Sequence, residues 1–448
     1  MFFSSVLIKN AKLVDAQDTC LADLLIESGK ISKIESNISI NAEKEIDANG
    51  MYVFPGFIDP HVHLHLPTPA GYSADNFSSA SMAAIYGGTT SAMDFVTPIK
   101  GQSLIDAFNK RFSEAQDSVI NLKFHVSPVD WNVFTACEMN ELVEKFNVNS
   151  FKIYTAYKKS VGIGNDVILK VFEQAAKLNA TVLVHAENDE IIDFLQKKFI
   201  EQGKTQPLYH CLSRPREAEI EAVERVLNFA KLTGVRLYFV HISTSEAIKL
   251  IENAKKQGMK VYAETCPHYL LLDDSCYKGD FFETAKYVLS PPLRKTTDNE
   301  ALWQAIENGT IDTIATDHCP FNTFGQKEKG INDFTKIPNG AGGIENRISL
   351  MYTYGVLQNK MTLNKMVELC CTNAAKIFGF TSKGNLKIGF DADIVIFDPN
   401  RVSTISAQNQ VSLCDSNIYE GFVVNGVFNY VLISRPNKIQ LFELSKIH

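Results

Sequence analysis

Short apolar, β-branched runs recur along the middle of the chain, separated by stretches whose apolar residues return at helical spacing. The runs lie at 56–59, 90–96, 122–126, 151–154, 181–185, 237–241, 260–265 and 313–317. The stretch 213–232 is one of the helix-like intervals, with an apolar face and charged residues opposite. Strands that read as buried and alternate with helices predict an α/β fold, a (β/α)8 TIM-like barrel, with an open doubly wound sheet as the competing architecture.

The two ends of the chain carry a different pattern. Val6-Leu7-Ile8, Asp23-Leu24-Leu25-Ile26-Glu27 and Ile31-Ser32-Lys33-Ile34 read as short strands, with a turn at Ser28-Gly29-Lys30. Residues 389–398 read as a turn feeding a strand, and 421–426 as a hairpin segment. This predicts a small β-sandwich built from both termini: 1–54 as its N-terminal part, 55–386 as the barrel, and 387–448 as its C-terminal part and tail.

Composition narrows the function classes. A net charge of −7 argues against nucleic acid or an anionic membrane as the main partner, since both select basic patches. Nine cysteines stand without the Cys-x-x-Cys spacing of a structural zinc site, which suits a reducing compartment. No apolar stretch approaches the roughly 20 residues needed to span a bilayer, and the N-terminus has no basic leader region. A cytoplasmic location is expected.

The candidate chemistry sits at the predicted strand ends. His61 and His63 follow the first strand with one residue between them, and an extended His-x-His turns both imidazoles to one side. Lys152 lies in the fourth strand, His185 ends the fifth, His241 the sixth and Asp317 the eighth. In a barrel these ends converge on one mouth, where active sites of this fold lie. A lone strand-end histidine more commonly packs or donates a hydrogen bond, and a lone aspartate beside a turn commonly caps it. Gathered together, four histidines and an aspartate point to a metal centre. His65, His125, His210, His268, His318 and His448 are read as non-ligands. Lys152 is the odd member, because an ammonium buried beside divalent cations is repelled and desolvated. Deprotonated, it can react with CO₂ to give an anionic carbamate with two oxygens.

With these residues the chain resembles the amidohydrolase superfamily, and within it the dihydropyrimidinases and D-hydantoinases, over nearly its whole length. The matching segments include Pro55-Gly56-Phe57-Ile58-Asp59-Pro60-His61-Val62-His63, Gly87-Gly88-Thr89-Thr90, Ser150-Phe151-Lys152 through Ala156-Tyr157-Lys158 and His185-Ala186-Glu187-Asn188. Further matches are Val240-His241-Ile242-Ser243, Glu264-Thr265-Cys266-Pro267, Ser290-Pro291-Pro292-Leu293-Arg294, Thr316-Asp317-His318-Cys319-Pro320-Phe321 and the stretch 332–340. The resemblance implies two Zn²⁺ per subunit, bridged by N6-carboxylated Lys152 and a hydroxide. His61, His63, Lys152 and Asp317 would hold one ion; carboxylated Lys152, His185 and His241 the other. It implies Asp317 as general acid–base, Tyr157 as oxyanion donor, and the backbone at Ser290 and Asn339 as the grip on a small cyclic amide or ureide. It also implies a homotetramer.

Among relatives that share such a site, dihydroorotases usually place an arginine where this chain has His65, and allantoinases a Glu-Pro-Gly segment near Leu66-Pro67-Thr68-Pro69. Both differences favour opening of dihydropyrimidine or hydantoin rings to N-carbamoyl amino acids. Pro267-His268-Tyr269 is closer to the allantoinase and dihydroorotase wording, so an allantoinase- or dihydroorotase-like hydrolase is the alternative. Non-catalytic assembly relatives have lost metal ligands, whereas every expected ligand is present here.

Overall fold

The computed structural model describes residues 1–444; residues 445–448, which include part of the expected tail and His448, lie outside the described residues. Eight parallel strands lie in one sheet in sequence order: β1 (Phe57–Val62), β2 (Thr89–Val96), β3 (Asn121–Val126), β4 (Ser150–Tyr154), β5 (Thr181–His185), β6 (Arg236–Phe239), β7 (Val261–Thr265) and β8 (Thr313–Ile314). Helices such as Phe77–Tyr86, Asn165–Lys177 and Ser245–Lys256 connect them. Every residue of β1, β2 and β5 is buried, as expected of strands covered on both faces.

The seam between β1 and β8 is closed mainly by side chains. Buried Arg347 donates to the carbonyls of Ile58 and Ile314, both at 3.0 Å. Asp59 of β1 accepts from the Thr316 hydroxyl at 2.6 Å, and the His63 N–H donates to the His318 carbonyl at 2.8 Å. The barrel is therefore nearly a closed ring.

The termini form a separate nine-stranded sheet. Its order runs Phe2–Phe3, Lys438–Glu443, Val423–Arg435, Ile394–Thr404, Tyr52–Pro55, Ser5–Val14, Thr19–Glu27, Lys30–Glu35, with Lys44–Asp47 also paired to Ser5–Val14. The sheet curls over itself, so that Ser434 Oγ near one end donates to the Gly29 carbonyl near the other at 2.7 Å. Val6, Ile8, Leu24, Ile394, Ile396 and Leu432 fill the space between its layers. The alternate residues Val395 and Phe397 join the barrel core instead, as the two-residue strand period dictates. Gly88 lies at that junction at φ +72°, and a Cβ there would meet the Phe428 ring at 2.3 Å. Only glycine fits both conditions.

Several expected boundaries move. The helix read over 213–232 begins at Arg216, with Pro215 at its N-cap, and runs to Thr233. β6 stops at Phe239 and β8 at Ile314, so His241 and Asp317 lie beyond their strands rather than at the last strand residue. His61 lies inside β1, which continues to Val62.

Candidate metal centre and substrate cavity

Strand alternation sets the floor of the site. In β4, Phe151 and Ile153 pack into the apolar core, while Ser150, on the other face, bonds His125 at 2.7 Å inside the barrel. Lys152 shares the Ser150 face and is buried. Tyr154 pairs in register with His185 of the next strand. His61 and His63 point the same way from β1, with their Nε2 atoms 3.3 Å apart.

Where the strands end, backbone strain aims the remaining donors. Among the described residues, besides asparagines and Ser28, the non-glycine residues with positive φ are His65, Tyr157 (+62°), His241 (+41°) and Asp317 (+50°). The left-handed region costs a non-glycine residue free energy and persists where the surroundings impose it, commonly at functional sites. Here the turn just past β6 and β8 carries His241 and Asp317 into the barrel mouth although the strands have already stopped.

Two clusters result. Asp317 Oδ1 lies 3.0 Å from His61 Nε2 and 3.3 Å from His63 Nε2. The three ligand atoms fall within 4.8 Å of one another. Beside them His185 Nδ1 faces His241 Nε2 at 3.0 Å, and the His61 and His241 rings are 5.5 Å apart. Lys152 makes no ion pair among the described residues; its Nζ lies 4.9 Å from the centre of the Phe95 ring and 5.1 Å from that of Tyr154. Its charge is felt by all four imidazoles.

Burial pushes the Lys152 ammonium down to about 8, against the pull of Asp317 and Glu264. The His241 imidazole is held well below its ordinary value by burial and by neighbouring His185, so it presents a neutral nitrogen. Asp317 is held well below the usual carboxylate range, because the facing His61 and His63 outweigh its burial. His63 and His185 are lowered by burial in the same way as His241, whereas at His61 the carboxylates of Asp317 and Glu264 outweigh burial and raise the imidazole to about 9. Imidazole nitrogens converging on an anionic oxygen fit a borderline divalent cation such as zinc, whose charge would take the place of the His61 proton.

All nine residues expected at the site line one cavity of about 1120 Å³ at the barrel mouth. The Tyr157 ring lies 5.2 Å from that of His185, and the Arg214 guanidinium 5.1 Å from the Tyr157 ring centre. Ser290 and Asn339 adjoin, the Asn339 amide donating to Ser290 Oγ at 3.0 Å.

The other histidines have different surroundings. His125 is held between Ser150 and the Pro60 carbonyl, and His210 bonds the Leu289 carbonyl at 2.8 Å. His318 Nδ1 accepts the Gly343 N–H at 3.1 Å. His65 stacks on Tyr72 with 4.0 Å between ring centres, and buried His268 packs against Tyr269.

Sequence reasoning assigned no role to the groups behind these donors. Glu264, in β7, accepts from His61 Nδ1 at 2.7 Å and from the His241 backbone N–H at 3.0 Å. One buried carboxylate thus orients both clusters, the usual outer-shell support of a metal histidine. Glu187 does the same for His185 at 2.9 Å and is paired with buried Arg214. The available signal for Glu264 was its position near the end of the seventh barrel strand.

Comparison with known proteins gives the family. The model of the amidohydrolase family matches residues 52–428. A D-hydantoinase of Geobacillus stearothermophilus is 43% identical over 94% of this chain and 90% of its own length. A dihydropyrimidinase of Arabidopsis thaliana is 37% identical over 93% and 78% respectively. The crystal structure of dihydropyrimidinase from Brevibacillus agri superposes with a TM-score of 0.95 at 41% identity, covering 96% of this chain and 94% of that one. The chain belongs to the amidohydrolase family, in its group of D-hydantoinases and dihydropyrimidinases.

Proposed function

We propose that this protein is a zinc-dependent hydrolase that opens the cyclic amide bond of dihydropyrimidines or hydantoins to give N-carbamoyl amino acids. The observation that carries the reading is the meeting of the two donor clusters and the Ser290–Asn339 pair in one cavity. His61, His63 and Asp317 would hold one ion, His185 and His241 a second. Carboxylated Lys152 would serve both. Its depressed basicity leaves neutral amine available to attack CO₂, losing one proton to give the carbamate. When bound, the metal pair lowers the pKa of water to roughly 7 and polarises the carbonyl under attack.

The chain's own groups do the rest. The Asp317 carboxylate takes the proton of the attacking water and delivers it to the leaving ring nitrogen. The Tyr157 phenol donates to the oxygen on which negative charge develops. The backbone at Ser290 and Asn339 holds the amide and imide edge of the ring. Glu264 and Glu187 keep the imidazoles oriented while charge moves.

A carboxylated ring is disfavoured because the wall near β1 offers His65, already stacked on Tyr72, where a fixed guanidinium would be needed. A reducing, cytoplasmic setting is supported by nine cysteines that are all free. No helix among the described residues is long and apolar enough to cross a membrane. Assembly into a homotetramer is supported by large apolar side chains left exposed, such as Val133 and Phe134. The reading is tested by assaying the zinc-loaded protein on 5,6-dihydrouracil, hydantoin, allantoin and dihydroorotate. Opening of the first two at the higher kcat/KM supports it; preference for allantoin or dihydroorotate refutes it.

A further inference from the structure

Lys327 is only 1% exposed, yet it forms no ion pair among the described residues. An ammonium placed in the interior without a counterion is costly, so what it touches needs a reason. Its Nζ donates to two backbone carbonyls, Pro338 at 3.0 Å and Val288 at 3.1 Å. These stand one residue before Asn339 and two before Ser290. The Gly340 N–H donates to the same Val288 oxygen at 3.0 Å. Lys327 therefore ties together the two segments that carry the expected grip on the ring.

The consequence follows from peptide geometry. In a trans peptide the C=O and the next N–H share one plane and point in opposite directions. Fixing the Pro338 oxygen toward Lys327 turns the Asn339 N–H the other way. That N–H has no partner among the described residues, and Asn339 lines the cavity. Apolar packing of Val288, Phe334 and Ile337 brings the segments together, but packing does not fix the rotation of a peptide plane. A buried donor on two carbonyls does.

We infer that Lys327 is a positioning residue for substrate: its buried Nζ locks the 338–339 peptide so that the Asn339 N–H is presented to a carbonyl oxygen of the bound ring. The inference rests on the cyclic-ureide reading above and names the group that makes its recognition edge rigid. Lys327 touches neither the reacting atoms nor the metal donors, so its loss acts on binding.

The test is steady-state kinetics of the zinc-loaded full chain with 5,6-dihydrouracil and hydantoin, for wild type, Lys327→Met and Lys327→Gln. Loss of a contact made equally in ground and transition states raises KM and spares kcat. The expected result for Lys327→Met is a KM raised about tenfold, with kcat within about threefold and unchanged zinc content. Lys327→Gln, which keeps a shorter neutral donor, falls between it and wild type. A merely structural role would lower the active fraction, and so the apparent kcat, at constant KM. Wild-type turnover with unaltered KM in both variants overturns the inference alone. Failure of both variants to fold assigns Lys327 to stability and likewise overturns it. A wild type that opens neither ring contradicts the cyclic-ureide reading itself, and the inference with it.

Discussion

At the scale of single residues, the cavity wall divides into groups that would hold metal and groups that would move protons or present donors. Asp317 is asked to do both, and the two jobs can be separated. Asp317→Asn keeps an oxygen beside His61 and His63 but removes the proton acceptor. We expect kcat to fall by at least about a hundredfold, the usual worth of general acid–base catalysis, while most of the zinc stays bound. Elemental analysis alongside the assay checks both halves. Tyr157→Phe deletes only the phenolic donor and is expected to lower kcat about a hundredfold; single-turnover rates on hydantoin decide it. The donors themselves were legible in the sequence, because His-x-His spacing and strand-end positions are one-dimensional signals. Their supports were not. Glu264 reaches His61 from a strand more than 200 positions away, and nothing local to Glu264 reveals that distance was closed. The left-handed turns at His241 and Asp317 were equally invisible, since neither residue type announces positive φ.

At the scale of elements, the eight barrel strands were readable because a parallel sheet covered on both faces writes itself as short apolar runs. What closes the ring was not readable. β8 is only two residues long, and the β1–β8 seam relies on Arg347, Asp59 and Thr316 in place of a continuous hydrogen-bond ladder. An arginine in a helical stretch reads as a solvated cation, and only the fold places its guanidinium between two strands. Arg347→Met leaves the Ile58 and Ile314 carbonyls without their buried donor and Asp59 without the guanidinium charge 3.8 Å away. Removing one partner of a buried charged set costs about 3–5 kcal/mol. Thermal and urea denaturation should show a loss of that order. A variant as stable as the wild type would mean that the seam is held by packing alone.

At the scale of the whole molecule, the terminal sheet and the barrel are not independent. The segment after Ile394–Thr404 returns over the barrel, where the Val411 and Ser412 N–H groups donate to half-buried Glu345 and the Leu413 N–H to Asp75. Burial raises the Glu345 carboxyl to about 7, with Asp75 adding to the rise against the two backbone donors. An acid whose folded value lies above its ordinary one contributes stability that is complete below about 4.5 and lost as pH climbs through about 7. Glu345→Gln lacks that loss. Its Tm relative to wild type should therefore be higher at pH 8 than at pH 5, as calorimetry at the two values would record; an equal difference at both would remove Glu345 from the tether's pH response. The pairing of the two chain ends in one sheet was visible as matching strand patterns, whereas the return of 411–413 onto the barrel was not, because it depends on carboxylates that look like ordinary surface acids. The central claim, that six donors from five barrel strands and their ends build one two-metal hydrolytic centre, is tested most directly by titrating chelator-stripped protein with zinc while following ring opening of 5,6-dihydrouracil. The account predicts no turnover without metal and a plateau at about two equivalents per chain. Full turnover by the stripped protein, or a fully zinc-loaded protein that opens no ring, would contradict it.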